Sequence, residues 1–293
     1  MLEQQLLNAL TLGSVYALFA LGFTLVFGVL AVINLSHGAV FMVGSYAALV
    51  VVTRFAAPLW LGILAATVVS GLLGLLVDVL ILKRLRARGA PHLVPMVATI
   101  GVAITLTSTA QGLFGAEMQR FPEELLPAGE LIIGEVHVRA LEIAIVAIAF
   151  ALMALLFLAI RHSQLGRALR AVAESPKAAY LLGINVEGLF HVTSFAAAAL
   201  GGIAGVLIGL DFNAITPFMG QPMLHKGIAV IILGGMGDIR GALIGGLFLG
   251  FAEVFSKGYL SSQMGDAVAF GLLFLILLVR PSGLFGRVPE RKA

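Results

Sequence analysis

The most constraining feature of this sequence is a long stretch without a charged side chain, which runs from Gln4 to Thr53. It is longer than the roughly 20 helical residues that cross a hydrocarbon core about 30 Å thick. Across the 293 residues, 60% are hydrophobic and only 11% are charged, whereas soluble domains carry about 25% charged residues. The chain is therefore predicted to lie in a lipid bilayer, which nearly excludes the soluble-enzyme classes.

Further uncharged runs follow along the whole chain. They cover 55–77, 89–116, 143–160, 188–210, 227–237, 242–252 and 267–279. No alternating apolar and polar pattern typical of membrane β-barrels accompanies them. We therefore predict an all-α polytopic membrane protein with eight to ten helical segments, forming one transmembrane domain over 1–293. The first run is predicted to be a retained helix, because it lacks the basic start and clear cleavage site of a signal peptide.

Positive charges fall in three clusters between the apolar runs, and such clusters in short loops indicate the cytoplasmic side. The clusters are Lys83, Arg84, Arg86 and Arg88, then Arg161, Arg167, Arg170 and Lys177, then Arg280, Arg287, Arg291 and Lys292. The segment 115–139 instead carries Glu117, Glu123, Glu124, Glu130 and Glu135. We predict that this segment is external and that the C-terminus is cytoplasmic. The formal net charge of +3 is thus a topology signal, and no nucleic-acid partner is predicted.

Two polar interruptions break the apolar runs. Their residues are Asn34, Ser36, His37 and Gly38 in the first, and Gly234, Gly235, Gly237 and Asp238 in the second. Each continues with a similar glycine-alanine-aliphatic sequence, and paired interruptions in related halves indicate a transport path. We predict two interrupted helices whose freed backbone groups line that path. The alternatives are a plain turn at each place, a packing role for His37 and a solvated turn with a local ion pair at Asp238 and Arg240.

The segment 161–188 is predicted to be a cytoplasmic loop within the membrane domain. Residues 165–174 form one predicted helix. Ser175 then suits a helix N-cap, Pro176 the first helical position and Gly183 a helix terminator, so a second, short helix follows. A short helix with nothing in its own chain to pack against is suited to dock into a partner's groove. The alternative is a connecting helix on the bilayer surface.

Two further patterns predict helix packing. Glycines recur at four-residue spacing, which lets helix axes approach closely in lipid. They are Gly201, Gly205 and Gly209, then Gly241 and Gly245, then Gly246 and Gly250. Glu253 and Lys257 also lie four residues apart and are predicted to pair on one helix face.

The sequence lacks the residues that several kinds of catalytic and metal site require. There is no cysteine, so disulfides, thiolate catalysis and cysteine-based metal sites are excluded, and the six histidines show no metal-ligand spacing. No phosphate-binding loop of the GxxxxGK[ST] type occurs, so any ATP must act through a partner. No catalytic residue, metal or cofactor is predicted, and an intramembrane enzyme or a channel stays as the remote alternative.

Three stretches carry a resemblance to a known family. They are ALGFTLVFGVLAVINLSHG at 20–38, GRALRAVAESPKAAYLLGIN at 166–185 and GIAVIILGGMGDIRGA at 227–242. Together they resemble the permease subunits of bacterial high-affinity branched-chain amino acid ABC importers. Because the first helix begins almost at the N-terminus, the chain is most similar to the first of the two permeases in such systems.

This resemblance implies a subunit that carries branched-chain or other hydrophobic amino acids inward across the bacterial inner membrane. The implied partners are a second permease, in a hetero- or homodimer, two cytoplasmic ATPases and an external substrate-binding protein. Related permeases for urea, short amides or aromatic acids are the alternative, because the binding protein supplies most of the specificity. The resemblance also implies an ATPase contact at Arg167, Arg170, Glu174, Ser175, Pro176, Ala178, Ala179, Leu182 and Gly183.

Overall fold

The computed structural model describes residues 2–91, 93–122, 124, 129–133, 136–261, 263–280 and 283–285. Within these residues the chain forms eleven helices and one β-hairpin. The helices are α1 (Leu2–Leu30), α2 (His37–Arg54), α3 (Leu59–Ala87), α4 (Leu93–Phe114), α5 (Ala140–His162), α6 (Gln164–Glu174), α7 (Pro176–Leu181), α8 (Val186–Asp211), α9 (Gly220–Gly234), α10 (Ile239–Tyr259) and α11 (Gly265–Val279). The hairpin pairs β1 (Glu130–Ile133) antiparallel with β2 (Val136–Arg139).

The predicted class, an all-α polytopic membrane protein, is confirmed. Seven helices, α1 to α5, α8 and α10, are long and apolar enough to cross a membrane. The helix α11 is a shorter apolar helix, and α9 has 15 residues. The described residues hold eleven helices where eight to ten were predicted, and two of the eleven, α6 and α7, are the short helices of the segment 161–188.

The helix α3 runs further than its uncharged sequence indicated. It continues through a π-helical turn at Asp78–Leu82 into the basic residues Lys83–Ala87. The continuation brings Arg86 to the fully buried Asp78, at 2.7 Å between the guanidinium and the carboxylate. The other oxygen of that carboxylate lies 2.6 Å from Nδ1 of His191 on α8. The first basic cluster thus lies at the end of α3, and the contacts of Asp78 with Arg86 and His191 attach this end to α8.

The helix α1 forms the centre of the bundle and packs most closely against α10. The backbones of α1 and α10 are in contact there, because Gly246 packs against Ala17 and Gly250 packs against Gly13. A second close crossing joins α8 to α2, where Gly205 lies against the carbonyl of Phe41. The predicted glycine spacing therefore places contacts within this one chain.

The helix ends define two faces of the bundle. At one end, Gln4 of α1 exchanges hydrogen bonds with the backbone of His137 in β2, at 3.1 and 3.0 Å. The other end, here called the basic face, carries the ends of α3 and α5, the helices α6 and α7, and the link between α9 and α10. Residues 283–285 also lie there, since the Leu284 and Phe285 amides donate to the carbonyls of Leu233 and Gly234. Glu123, Glu135, Arg287, Arg291 and Lys292 lie outside the described residues.

Candidate functional site

The first predicted interruption is a link between two separate helices. The helix α1 ends at Leu30, and α2 begins at His37 beside the middle of α1. The ring centroid of His37 lies 4.7 Å from that of Phe19 on α1. The chain therefore turns back into the bundle between these helices. Inside the link, the side-chain oxygen of Asn34 accepts hydrogen bonds from the Ser36 amide (3.1 Å) and hydroxyl (2.6 Å). The predicted interruption of a single helix is not confirmed here.

His37 is enclosed by its own chain. Its side chain is buried, its ring touches Gly22 and Gly201, and its Nε2 lies 3.4 Å from the carbonyl oxygen of Phe19. Phe23 adds an edge contact with the ring at 5.5 Å. This environment corresponds to the packing role considered above.

The second predicted interruption is a turn on the basic face. It joins α9 to α10 through Gly235 and Gly237, whose φ angles of 101° and 88° lie in the region that glycine adopts without a steric penalty. Asp238 then caps α10 by accepting from the amides of Arg240 (2.8 Å) and Gly241 (3.0 Å). Gly234 and Gly241 touch through their backbones. The geometry is therefore that of the plain turn considered above.

An interhelix cavity of about 560 Å³ lies between α2, α4 and α9. Gly38 and Gly220, the starts of two helices, lie side by side at its wall. The apolar part of the lining is Leu35, Ala39, Ile100, Ala103, Ile104, Pro217, Phe218, Leu224 and Ile228, and the polar part is Thr107, Ser108, Gln111, Gln221 and His225. Such a lining suits a small molecule with one aliphatic and one polar end.

A second cavity, the basic-face cavity, measures about 870 Å³. Gly237 and Asp238 of the second interruption line it, together with Gly28 and Ala31 at the end of α1. A Cβ atom on Gly28 would lie 3.5 Å from Cα of Gly237. The structure therefore places the second interruption at this cavity, whereas Gly38 of the first one lines the interhelix cavity.

The segment 161–188 forms the two predicted short helices. Ser163 caps α6 by accepting from the amide of Gly166 (2.9 Å), and Ser175 caps α7 by accepting from that of Ala178 (3.3 Å). Pro176 takes the first position of α7. Gly183 follows the helix with a φ of 82°, the left-handed conformation expected of a terminator.

The surface of this segment differs from the expectation in one residue. Ala179 is only 1% exposed and belongs to a cluster with Leu169, Val172 and Phe190. The idea that α7 has nothing in its own chain to pack against is therefore corrected. The side chains that α7 and its end expose are Tyr180 (72%), Leu181 (84%) and Leu182 (79%). Of the other residues in the implied ATPase contact, Ser175 is partly buried and Arg167, Arg170, Glu174, Pro176, Ala178 and Gly183 are exposed.

A buried ionic cluster inside the bundle was only half predicted. The predicted pair exists, since Nζ of Lys257 lies 2.6 Å from a carboxylate oxygen of Glu253. Lys226 of α9 adds a second ammonium at 2.7 Å, and the hydroxyl of Tyr16 on α1 donates to the same carboxylate at 2.8 Å. The signal for Lys226 is its position as the one charged residue of α9. The cluster ties α1, α9 and α10 together.

Comparison with known proteins decides the family. The family described as branched-chain amino acid transport system / permease component matches residues 5–277. The chain belongs to this family. It is 39% identical to the high-affinity branched-chain amino acid transport system permease protein BraD of Pseudomonas aeruginosa, over 98% of this chain and 96% of that protein. It is 36% identical to the corresponding LivH permease of Escherichia coli K12, with the same coverage.

More distant relatives are also found. The probable branched-chain amino acid transport permease LivH of Methanocaldococcus jannaschii is 28% identical over 95% of this chain and 91% of that protein. No solved structure matches the chain. Since members of the family are transport components, this permease is a transport subunit rather than an enzyme, and ATP hydrolysis on separate subunits is typical of the family.

Proposed function

We propose that this permease carries branched-chain or other hydrophobic amino acids inward across the bacterial cytoplasmic membrane. The observation that carries the proposal is the near full-length similarity to permeases named for high-affinity branched-chain amino acid transport, at 39% and 36% identity. Its proposed partners are a second permease, two cytoplasmic ATPases and an external binding protein. Residues 1–293 would act as one transmembrane domain, with 161–188 as its coupling loop.

The proposed orientation has the basic face in the cytoplasm. Support comes from the first two basic clusters, which share this face, because Lys and Arg near helix ends favour the cytoplasmic side. Residues 283–285 lie at the same face, so the C-terminus is proposed to be cytoplasmic. The hairpin and the start of α1 are then external.

The interhelix cavity is proposed as part of the translocation path. Its aliphatic lining suits a branched side chain, and the starts of α2 and α9 at Gly38 and Gly220 carry partial positive charge that favours a carboxylate. Asn34, Ser36 and His37 are proposed to hold the start of α2 in place. The second group, Gly234, Gly235, Gly237 and Asp238, is proposed to shape the cytoplasmic end of the permease.

The second permease is proposed to close this cavity along α4. Only 17% of the most apolar part of α4 is buried within this chain. Cβ atoms added to Gly101 and Gly112 on the same helix would meet nothing within 4 Å. Glycines leave room for another helix to approach closely, and such contacts stabilise helix pairs in lipid.

The end of α7 is proposed to contact the ATPase. Tyr180, Leu181 and Leu182 form an exposed apolar surface next to polar and charged residues, in a segment outside the candidate membrane spans. Burial of such a surface by a partner removes apolar area from water. Ala179 supports this surface from beneath.

Two neighbouring substitutions on α4 test the path. Ser108 lines the interhelix cavity, whereas the adjacent Thr109 is exposed and does not line it. We expect Ser108→Trp to fill the cavity and to reduce uptake of leucine by at least tenfold, with unchanged assembly of the complex. Thr109→Trp should keep more of the uptake. Equal uptake by wild type and Ser108→Trp would place the path elsewhere.

A further inference from the structure

Three arginines converge on the basic-face cavity from three different segments. Arg161 comes from the end of α5, Arg170 from α6 and Arg240 from the first turn of α10. Among the described residues, none of the three forms an ion pair with a carboxylate. The acidic residue in the lining, Asp238, is already engaged in capping α10. Within the part of the chain that the structure describes, the cavity lining therefore carries three arginines against one carboxylate, a net positive charge.

Two of these guanidinium groups are held in position by their own chain. Arg170 donates a hydrogen bond to the carbonyl oxygen of Ile160, at the end of α5. The guanidinium carbon of Arg161 lies 5.9 Å from the ring centroid of Phe157, one helical turn earlier. A planar guanidinium fixed in this way keeps its other N–H groups available for an anion. Guanidinium groups bind phosphate through two parallel N–H···O hydrogen bonds.

Part of the rim of the same cavity is apolar. Phe157, Met236 and Phe285 line it, and Met236 and Phe285 are 56% and 42% exposed. Leu158, the residue after Phe157 on α5, is 53% exposed. The cavity thus joins an exposed apolar helix surface to a group of arginines at the helix end.

We propose that the basic-face cavity binds the phosphate group of an anionic phospholipid. Arg161, Arg170 and Arg240 would receive the phosphate, and the acyl chains would lie along α5 beside Phe157 and Leu158. Basic pockets between transmembrane helices at the cytoplasmic surface recognise anionic headgroups in this way. A free phosphate ion carries the same kind of charge but has no apolar part that could contact the apolar rim. The inference requires only that the basic face lies at a membrane surface, so it is independent of the transported substrate.

The test measures lipid retained by the permease purified together with its partner subunits. Native mass spectrometry would count bound phosphatidylglycerol and phosphatidylcholine after delipidation and titration with each lipid. We expect phosphatidylglycerol to be preferred, and the double variant Arg161→Gln, Arg240→Gln to weaken its binding about thirtyfold, since each of the two arginines contributes about 1 kcal/mol near an anionic surface. The variant Arg161→Lys, Arg240→Lys should regain part of the preference, because it restores the charge.

Arg88→Gln is the matched control, because Arg88 is exposed at the same face and does not line the cavity. It should bind phosphatidylglycerol as the wild type does. Equal retention of the two lipids by wild type would overturn the proposal, as would an equal loss in the Arg88 control. Displacement of the lipid by millimolar inorganic phosphate would also overturn it and would identify a site for the free ion. Recovery of all variants with their partner subunits would establish that they are folded.

Discussion

Removal of the charge of Glu253 should be among the most destabilising single changes in this permease. Its side chain is 1% exposed and accepts hydrogen bonds from Lys226 (2.7 Å), Lys257 (2.6 Å) and Tyr16 (2.8 Å). In Glu253→Gln, a neutral amide replaces the carboxylate, so the largely buried ammonium of Lys226 loses its buried anion and keeps only the exposed Asp266 carboxylate, at 3.2 Å. Breaking such a pair costs about 3 to 5 kcal/mol. That range corresponds to roughly a hundredfold or larger change in the folding equilibrium.

The assay is unfolding of the purified permease in mixed detergent and sodium dodecyl sulfate micelles, followed by far-ultraviolet circular dichroism. Glu130→Gln is the matched control, because Glu130 pairs with His137 on the exposed hairpin, where both side chains are at least half exposed. It should cost less than about 1 kcal/mol. The double variant Glu253→Gln, Lys226→Met should recover part of the loss, since it also removes the ammonium that has lost its buried partner. A loss for Glu253→Gln as small as that of the control would refute the reasoning.

Three further outcomes follow from the structure. Because the chain has no cysteine, single cysteines that replace Glu124 and Glu174 can be labelled with an impermeant maleimide. The cysteine at position 124 should react in intact cells and the one at 174 only after lysis. Reaction of both in intact cells would contradict the proposed orientation. Gly205→Ala should lower the free energy of unfolding by about 1 to 3 kcal/mol, because the added Cβ would press on the Phe41 carbonyl and lie 2.8 Å from Oγ of Ser45. Gly101→Ala, on the exposed side of α4, should instead raise the free energy of unfolding by up to about 1 kcal/mol. Equal effects of the two substitutions would contradict the packing of α8 on α2. Leu181→Arg should lower copurification of the ATPase several-fold while the permease stays inserted, and unchanged copurification would remove α7 from the interface.

The helices were predictable because lipid allows few alternatives. Each long uncharged run of the sequence contains a helix, and the first run contains two, α1 and α2, since backbone groups in a bilayer must bond within their own segment. The caps of α6 and α7 were predictable for a local reason, because Ser175, Pro176 and Gly183 each act through their nearest neighbours. Helix identity and these ends therefore needed no knowledge of the fold.

The features that the sequence left open depend on distant contacts. The return of the chain after α1 depends on the packing of His37 against Phe19 and Phe23, which no local pattern records. The burial of Ala179 depends on α8, through Phe190. Likewise, Lys226 and Glu253 are 27 residues apart, so their pairing becomes visible only when α9 and α10 are placed side by side.

The most direct test of the proposed function is uptake of radioactive leucine by proteoliposomes. They would contain this permease with its second permease and ATPases, with ATP inside and the binding protein outside. The account predicts accumulation of leucine that requires ATP, the binding protein and this permease, and that is lost when Ser108→Trp replaces the wild-type chain. An assembled complex that hydrolyses ATP in response to its binding protein but accumulates no leucine, isoleucine or valine would contradict the proposed substrate class.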